Sequence, residues 1–175
     1  MVLKKITISN FKMFEHLELV FEPGFNLILG DNGVGKTTVL EAASVVLSGF
    51  LIGIEDVYAR SIYKNDVKYQ IVKDSNGTPN KSYSNLAEVS GTLEYSGTDY
   101  TWTRTKKDAT GNSRTTIIPK DIVRVSQELV NDPGVKTLSL VSYQSASRHW
   151  VTARSDANRK KETSSMTGGA DTWDV

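Results

Sequence analysis

The stretch Gly30-Asp31-Asn32-Gly33-Val34-Gly35-Lys36-Thr37 (GDNGVGKT) decides how the rest of the chain is read, because it completes the pattern G-x-x-x-x-G-K-[ST]. Its flanks supply the setting the pattern needs. Phe25-Asn26-Leu27-Ile28-Leu29 reads as a short buried strand, and residues 36–48 read as a helix with Leu40, Ala43 and Leu47 on one stripe. Strand, glycine-rich turn and helix together predict a loop that cradles phosphate. Gly30, Gly33 and Gly35 bring backbone close to phosphate oxygens with no Cβ in the way, and the amides of Gly33, Val34, Gly35 and Lys36 can turn inward as an anion nest. The helix starts at the same point, so the positive end of its dipole faces the anion. In this arrangement Lys36 reaches the β and γ phosphates of ATP, Thr37 gives its hydroxyl to Mg²⁺, and Thr38 contacts the α phosphate.

Working outward, the 175 residues give room for one domain with a proper core and too little for two of ordinary size. Charged residues at 23% and hydrophobic ones at 38% are ordinary for a globular chain. The absence of cysteine excludes disulfides, zinc ribbons and thiol catalysis, and fits a reducing compartment. A net charge of +1 makes no bulk electrostatic case for nucleic acid or membrane. No apolar run reaches the length of a membrane span, and the opening MVLKKITISNF is not read as a signal peptide. A cytoplasmic location without membrane contact is the expectation. His16 and His149 lack ligand neighbours at metal spacing, and no G-x-S-x-G pattern is present.

Residues 3–9 (LKKITIS) and 17–21 (LELVF) alternate as half-buried strands, and Pro23-Gly24 breaks the chain before the glycine-rich loop. A short helix around residues 55–61 and a strand over 67–72 (VKYQIV) follow, then a polar, turn-rich stretch over 73–85. EVSGTLEY and YTWTRT form a hairpin through Ser96-Gly97-Thr98-Asp99. Pro119 opens a helix carrying Ile122, Val125, Leu129 and Val130, which Asp132-Pro133-Gly134 stops. Residues 137–143 (TLSLVSY) read as a buried strand, and 153–175 as a polar, disordered tail.

Taken together, an N-terminal strand ending in Asn10-Phe11-Lys12-Met13-Phe14, a second strand and GDNGVGKTTVLEA resemble the start of the RecF, SMC and SbcC-type ATPases, a branch of the ABC ATPase superfamily. Asn10, Phe11, Phe14, Asn32, Gly33, Thr38, Leu40, Glu41 and Ala42 stand where that pattern wants them. The resemblance implies an α/β fold: a P-loop NTPase core with a largely parallel sheet, plus an added antiparallel β-sheet. It implies ATP and Mg²⁺ as ligands, with Lys36 acting on the transferring phosphoryl. It also makes Gln144 a Q-loop residue that touches Mg²⁺ and the attacking water, and places Lys12 near the base or ribose. For Gln144 the other reading is a polar cap on a strand, and for Lys12 a solvated lysine at a strand end.

Hydrolysis in that family also needs a Walker B strand ending in Asp-Glu and a signature loop from a partner. Neither has a convincing match: Glu55-Asp56 is in reversed order, and only five residues, 171–175, follow MTGGA. The chain therefore reads as the N-terminal half of an ATPase head over residues 1–152, with the C-terminal half, or a second head in an ATP-sandwiched dimer, as its expected partner. DNA is a further possible partner, through the processes of break repair, chromosome maintenance or phage defence that the resemblance implies. Arg104, Lys106, Lys107, Arg114, Lys120 and Arg124, with Trp102, are either contacts to DNA phosphates or a solvated face. The alternative from another class is a non-catalytic, nucleotide-dependent interaction module.

Overall fold

In the computed structural model the described residues are 1–54, 57, 59–107, 113–132, 134 and 141–144. Five strands form one sheet in the order β2-β1-β5-β6-β7: β1 (Val2–Phe11), β2 (Phe14–Val20), β5 (Leu86–Tyr95), β6 (Thr98–Lys107) and β7 (Thr116–Ile118). Between β2 and β5 the chain runs through α1 (Lys36–Gly49) and a separate two-stranded ribbon, β3 (Tyr69–Lys73) with β4 (Pro79–Tyr83). The last described element with regular structure is α2 (Asp121–Asn131).

Strand parity determines which residues meet the helix. Ile6 lies opposite Gly91 and Gly91 opposite Trp102, while Ile8 lies opposite Val89 and Val89 opposite Arg104. These positions point to one face, where Val39, Ala42, Val45 and Val46 of α1 cover them. The other face carries hydroxyls instead. Ser90 and Thr103 share a hydrogen bond of 2.7 Å, Thr92 and Thr101 one of 2.9 Å, and Thr105 and Thr116 one of 2.5 Å. Trp102 is the largest fully buried side chain and donates its indole N–H to the Val46 carbonyl at 3.0 Å. That carbonyl sits in the last turn of α1, where no further helical N–H is available to it.

The β5–β6 hairpin forms, but its turn is two residues rather than the four read over 96–99, since Thr98 and Asp99 belong to β6. Ser96 and Gly97 both take positive φ, 49° and 77°, and Tyr95 pairs with Thr98. α2 also forms where expected, with Ile122 buried and Val130 exposed. The expected added antiparallel sheet is present, and every strand pairing among the described residues is antiparallel; the parallel part of the expected α/β core is not among them. Several other expectations need correction. Residues 25–29 form no strand, and Phe25, Leu27 and Leu29 are 87%, 65% and 79% exposed, because no described segment runs beside them to pair or cover them. Along α1 the buried stripe is Val39, Ala42, Val45 and Val46, whereas Leu40 faces outward. The stretch 73–85 contains β4, and β7 forms where no strand was expected.

Arg104 and Lys106 share the parity of Trp102 and are buried, so they cannot offer a surface for DNA phosphates. Residues 141–144 are described without strand structure. The remainder of the expected strand at 137–140, residues 55, 56 and 58 of the expected helix at 55–61, His149, MTGGA and the tail at 153–175 lie outside the described residues.

Candidate nucleotide site

Two short sequences build the loop. The first is the turn between β1 and β2, where Phe11 pairs with Phe14 and both Asn10 and Lys12 adopt left-handed backbone, φ 51° and 50°. Asparagine tolerates that conformation better than most residues, which gives Asn10 a structural role in the turn. The second is the glycine-rich loop, with Gly33 at φ 87° and Gly35 at φ 97°. The two meet at Gly35: a Cβ there would lie 2.5 Å from the Phe14 ring and 2.7 Å from Met13 Sδ. Gly35 is thus demanded by both conformation and space, and Phe14 forms a floor beneath the loop.

Gly35 is also the N-cap of α1. It offers no side-chain cap, and the first turn of the helix carries no acidic residue. The initial amides of α1 are left without an intramolecular acceptor at the positive end of the helix, the donor set that fits a phosphate. Lys36 extends back over the loop and donates to the carbonyls of Gly30 at 2.6 Å and Asp31 at 2.7 Å. Thr37 is exposed beside it, and Asn32, Gly33 and Val34 are exposed on the loop. Thr38, in contrast, is buried on the sheet side of α1. Ahead of the loop, Asn26 closes a turn: its side-chain amide donates to the Glu22 carbonyl and its Oδ1 accepts the Glu22 N–H.

A polar cluster flanks the first turns of α1. The Lys12 ammonium is paired with Glu41 and lies 3.5 Å from Asp66. Arg60 lies 3.8 Å from Glu41, donates to Ser44 Oγ at 2.7 Å, and holds its guanidinium 5.7 Å from the centre of the Tyr143 ring. Lys12 is therefore neither a solvated lysine nor free of charge partners. Gln144 is exposed and follows directly on Tyr143, on the flank of the same helix. Sequence reasoning passed over Arg60, Glu41 as an ion-pair partner, and Asp66. Arg60 and Asp66 signalled only by charge in stretches with no periodicity to place them, and Glu41 only by its place in the family pattern.

Behind this cluster, Arg104 donates to the Arg60 carbonyl at 3.1 Å, yet its Nε and Nη1 have no hydrogen-bond partner among the described residues. Burial lowers its pKa to about 10. The folded state therefore releases this proton at lower pH than the unfolded chain does, so the cost of the buried charge is present in full below about pH 10. Replacing Arg104 with Met removes that charge and two orphan donors while giving up one hydrogen bond. We expect Arg104→Met to raise stability by about 1 kcal/mol in denaturant melts at neutral pH. A fall of similar size would mean that the guanidinium is better satisfied than its geometry indicates.

Among the described residues no group of three or more His, Cys, Asp or Glu is placed to hold a metal ion, and no helix is long and apolar enough to cross a membrane. The residue present that fits Mg²⁺ is Thr37, whose exposed hydroxyl stands at the start of α1.

Residues 5–167 match the AAA domain family. The DNA replication and repair protein RecF of Agathobacter rectalis is 38% identical over 85 residues, covering 41% of this chain and 23% of that protein. The DNA double-strand break repair Rad50 ATPase of Nanoarchaeum equitans is 46% identical over 48 residues, covering 27% of this chain and 6% of that protein. The chain thus aligns with less than a quarter of the length of these relatives. A solved structure from work on ATP-driven dimerization and DNA stimulated activation of SMC ATPases aligns over 91% of this chain and 95% of its own, at 18% identity and a TM-score of 0.49. With its glycine-rich loop seated on the β1–β2 turn, the chain belongs to the AAA domain family, and its start is similar to those of RecF and Rad50 proteins.

Proposed function

We propose that this chain binds ATP with Mg²⁺ through residues 30–38, as the N-terminal portion of a RecF, SMC or SbcC-type ATPase head. The observation that carries the reading is the uncapped, acid-free N-terminus of α1, entered through left-handed Gly33 and Gly35 and led by Lys36. Incoming phosphate takes the Lys36 ammonium from the Gly30 and Asp31 carbonyls, and the amides from Gly33 to Lys36 take the remaining oxygens. Thr37 is the residue that would hold Mg²⁺ through its hydroxyl, and the ion would supply positive charge against the phosphates. Gln144, carried beside Tyr143, is the residue we assign to orienting the attacking water.

Turnover needs a carboxylate base and a loop from across the nucleotide, and the sequence of this chain contains a convincing match to neither. We assign both to a C-terminal half or a second head. Exposed Phe25, Leu27, Leu29 and Leu40 support that assignment, since they leave an apolar patch and an unpaired backbone beside the loop for another segment to cover. The names of the RecF and Rad50 relatives support DNA repair as the process, with DNA as a partner of the assembled head. The same absences favour a second reading, a nucleotide-dependent interaction module without catalysis of its own.

Equilibrium binding of a fluorescent ATP analogue with Mg²⁺ tests the first step. We expect Lys36→Ala to weaken binding more than about tenfold while leaving the fold intact by circular dichroism. Equal binding by the two proteins would remove the loop from the site. Turnover that appears only on adding a C-terminal half selects the split head over the interaction module.

A further inference from the structure

Most of the β3–β4 ribbon stands away from the core, with Tyr83 at its base half-buried against it. Among the described residues the Lys68 N–H at the foot of β3 donates to the Asn10 carbonyl at 2.9 Å, and the Ser84 N–H closes the ribbon's two ends by donating to the Lys68 carbonyl at 2.9 Å. Both faces are open to water: Tyr69, Ile71 and Val72 are 42%, 68% and 45% exposed. Two strands without a core behind them are marginal on their own, so the composition of their surface calls for a reason.

Register places that composition on one face. Tyr69 pairs with Tyr83, Ile71 with Lys81 and Lys73 with Pro79, so the tyrosines, the isoleucine and two lysines lie side by side. The tyrosine rings are 5.6 Å apart. The Lys81 ammonium lies 4.2 Å from the Tyr69 ring centre, and that of Lys64 lies 5.2 Å from Tyr83. Elsewhere on the protein, Lys4, Lys5, Lys12 and Lys68 all meet carboxylates. Lys64, Lys73 and Lys81 meet none among the described residues. The nearby acids are otherwise engaged: Asp74 accepts the N–H of Asn76 at 2.9 Å and of Thr78 at 2.8 Å in its own turn, Glu15 faces Lys68 at 3.6 Å, and Asp66 faces Lys12 at 3.5 Å.

We propose that this face of the ribbon binds single-stranded nucleic acid, with Tyr69 and Tyr83 stacking on bases and Lys64, Lys73 and Lys81 meeting phosphates. The exposed Tyr69 ring and the half-buried Tyr83 ring beside it, interleaved with ammonium groups that meet no carboxylate among the described residues, suit a strand whose bases are free to stack, more than a duplex whose bases are already stacked. The inference rests on the ribbon alone and stands or falls independently of the nucleotide site.

The test is fluorescence anisotropy of a labelled oligothymidylate of about 20 nucleotides, against a duplex of the same length, with the 175-residue chain. Tyr69→Ala with Tyr83→Ala should weaken single-strand binding by about tenfold or more, while Tyr69→Phe with Tyr83→Phe preserves it. Lys73→Gln with Lys81→Gln should also weaken it and flatten its salt dependence, by about 0.7 in log–log slope for each phosphate no longer neutralised. Lys36→Ala should leave it unchanged, which separates the ribbon from phosphate binding at the glycine-rich loop. No binding by the parent chain, tighter binding of the duplex, or unaltered binding by the alanine pair would each overturn the proposal. Loss of self-association in the alanine pair, without any oligonucleotide binding, would overturn it in favour of a protein contact.

Discussion

Trp102→Ala is expected to lower stability by about 4 kcal/mol, measured by urea or thermal unfolding, which is a large part of what a domain of this size possesses. The indole is fully buried on the inner face of β6 and packs 6.4 Å, centre to centre, from Phe50. Removing it leaves a cavity that the surrounding sheet and helix can only partly close, and it orphans the Val46 carbonyl, which the indole N–H satisfies at 3.0 Å. The damage extends to the site because α1 begins at Lys36 and ends against Trp102. Nucleotide affinity should therefore fall along with stability, although the substituted residue is far along the helix from the loop. Trp102→Phe separates the two contributions, since it keeps most of the volume and loses the hydrogen bond. A loss for Trp102→Ala no greater than that for Trp102→Phe would show that the packing is unimportant.

Gly91→Ala is expected to cost about 3 kcal/mol, from crowding rather than from a void. Gly91 lies between Ile6 and Trp102 in the sheet, and a Cβ there would come within 2.2 Å of Val46 Cγ1 and 3.3 Å of its Cβ. The second distance matters more, because a rotamer change can move Cγ1 but leaves Cβ where the helix puts it. Relief requires α1 to lift from β5, loosening Ala42 and Val45 on the same stripe. A compensating Val46→Ala substitution should restore much of the loss, and the double-mutant cycle reads out the coupling directly. Independent, additive losses would mean that the helix and strand do not meet at this point.

The parts of this fold that were legible in the sequence are those settled by local backbone chemistry. GDNGVGKT needs left-handed glycines before a helix, and Ser96-Gly97 needs two consecutive positive φ values between matched strands; both occur where read. What depends on distant neighbours was misread. Phe25, Leu27 and Leu29 are apolar, but burial is conferred by whatever lies beside a segment, and no described element lies there. β4 (PNKSY) has no apolar alternation because the ribbon has no inside, and the three residues of β7 are too few to show a period. Arg104 and Lys106 looked like surface because they are charged. Their two-residue spacing from Trp102 carried the correct answer, since alternation along β6 obliges all three to share a face. Lys12 and Glu41, flagged only by family resemblance, turn out to be partners across the first turns of α1.

The hydroxyl ladder across the outer face of the sheet has a consequence for how the molecule opens. Because Ser90, Thr92, Thr101 and Thr103 face water, the apolar contacts of β1, β5 and β6 all lie on one side, against α1 and the segments beside it. The helix cannot detach while leaving a self-sufficient sheet behind, and the sheet cannot separate while leaving a stable helix. They form one cooperative unit, and the phosphate cradle at the head of α1 inherits the stability of the whole. The Tyr69–Tyr83 ribbon, tied at its base, belongs to a different regime: it can fray and re-form many times while the cradle stays assembled.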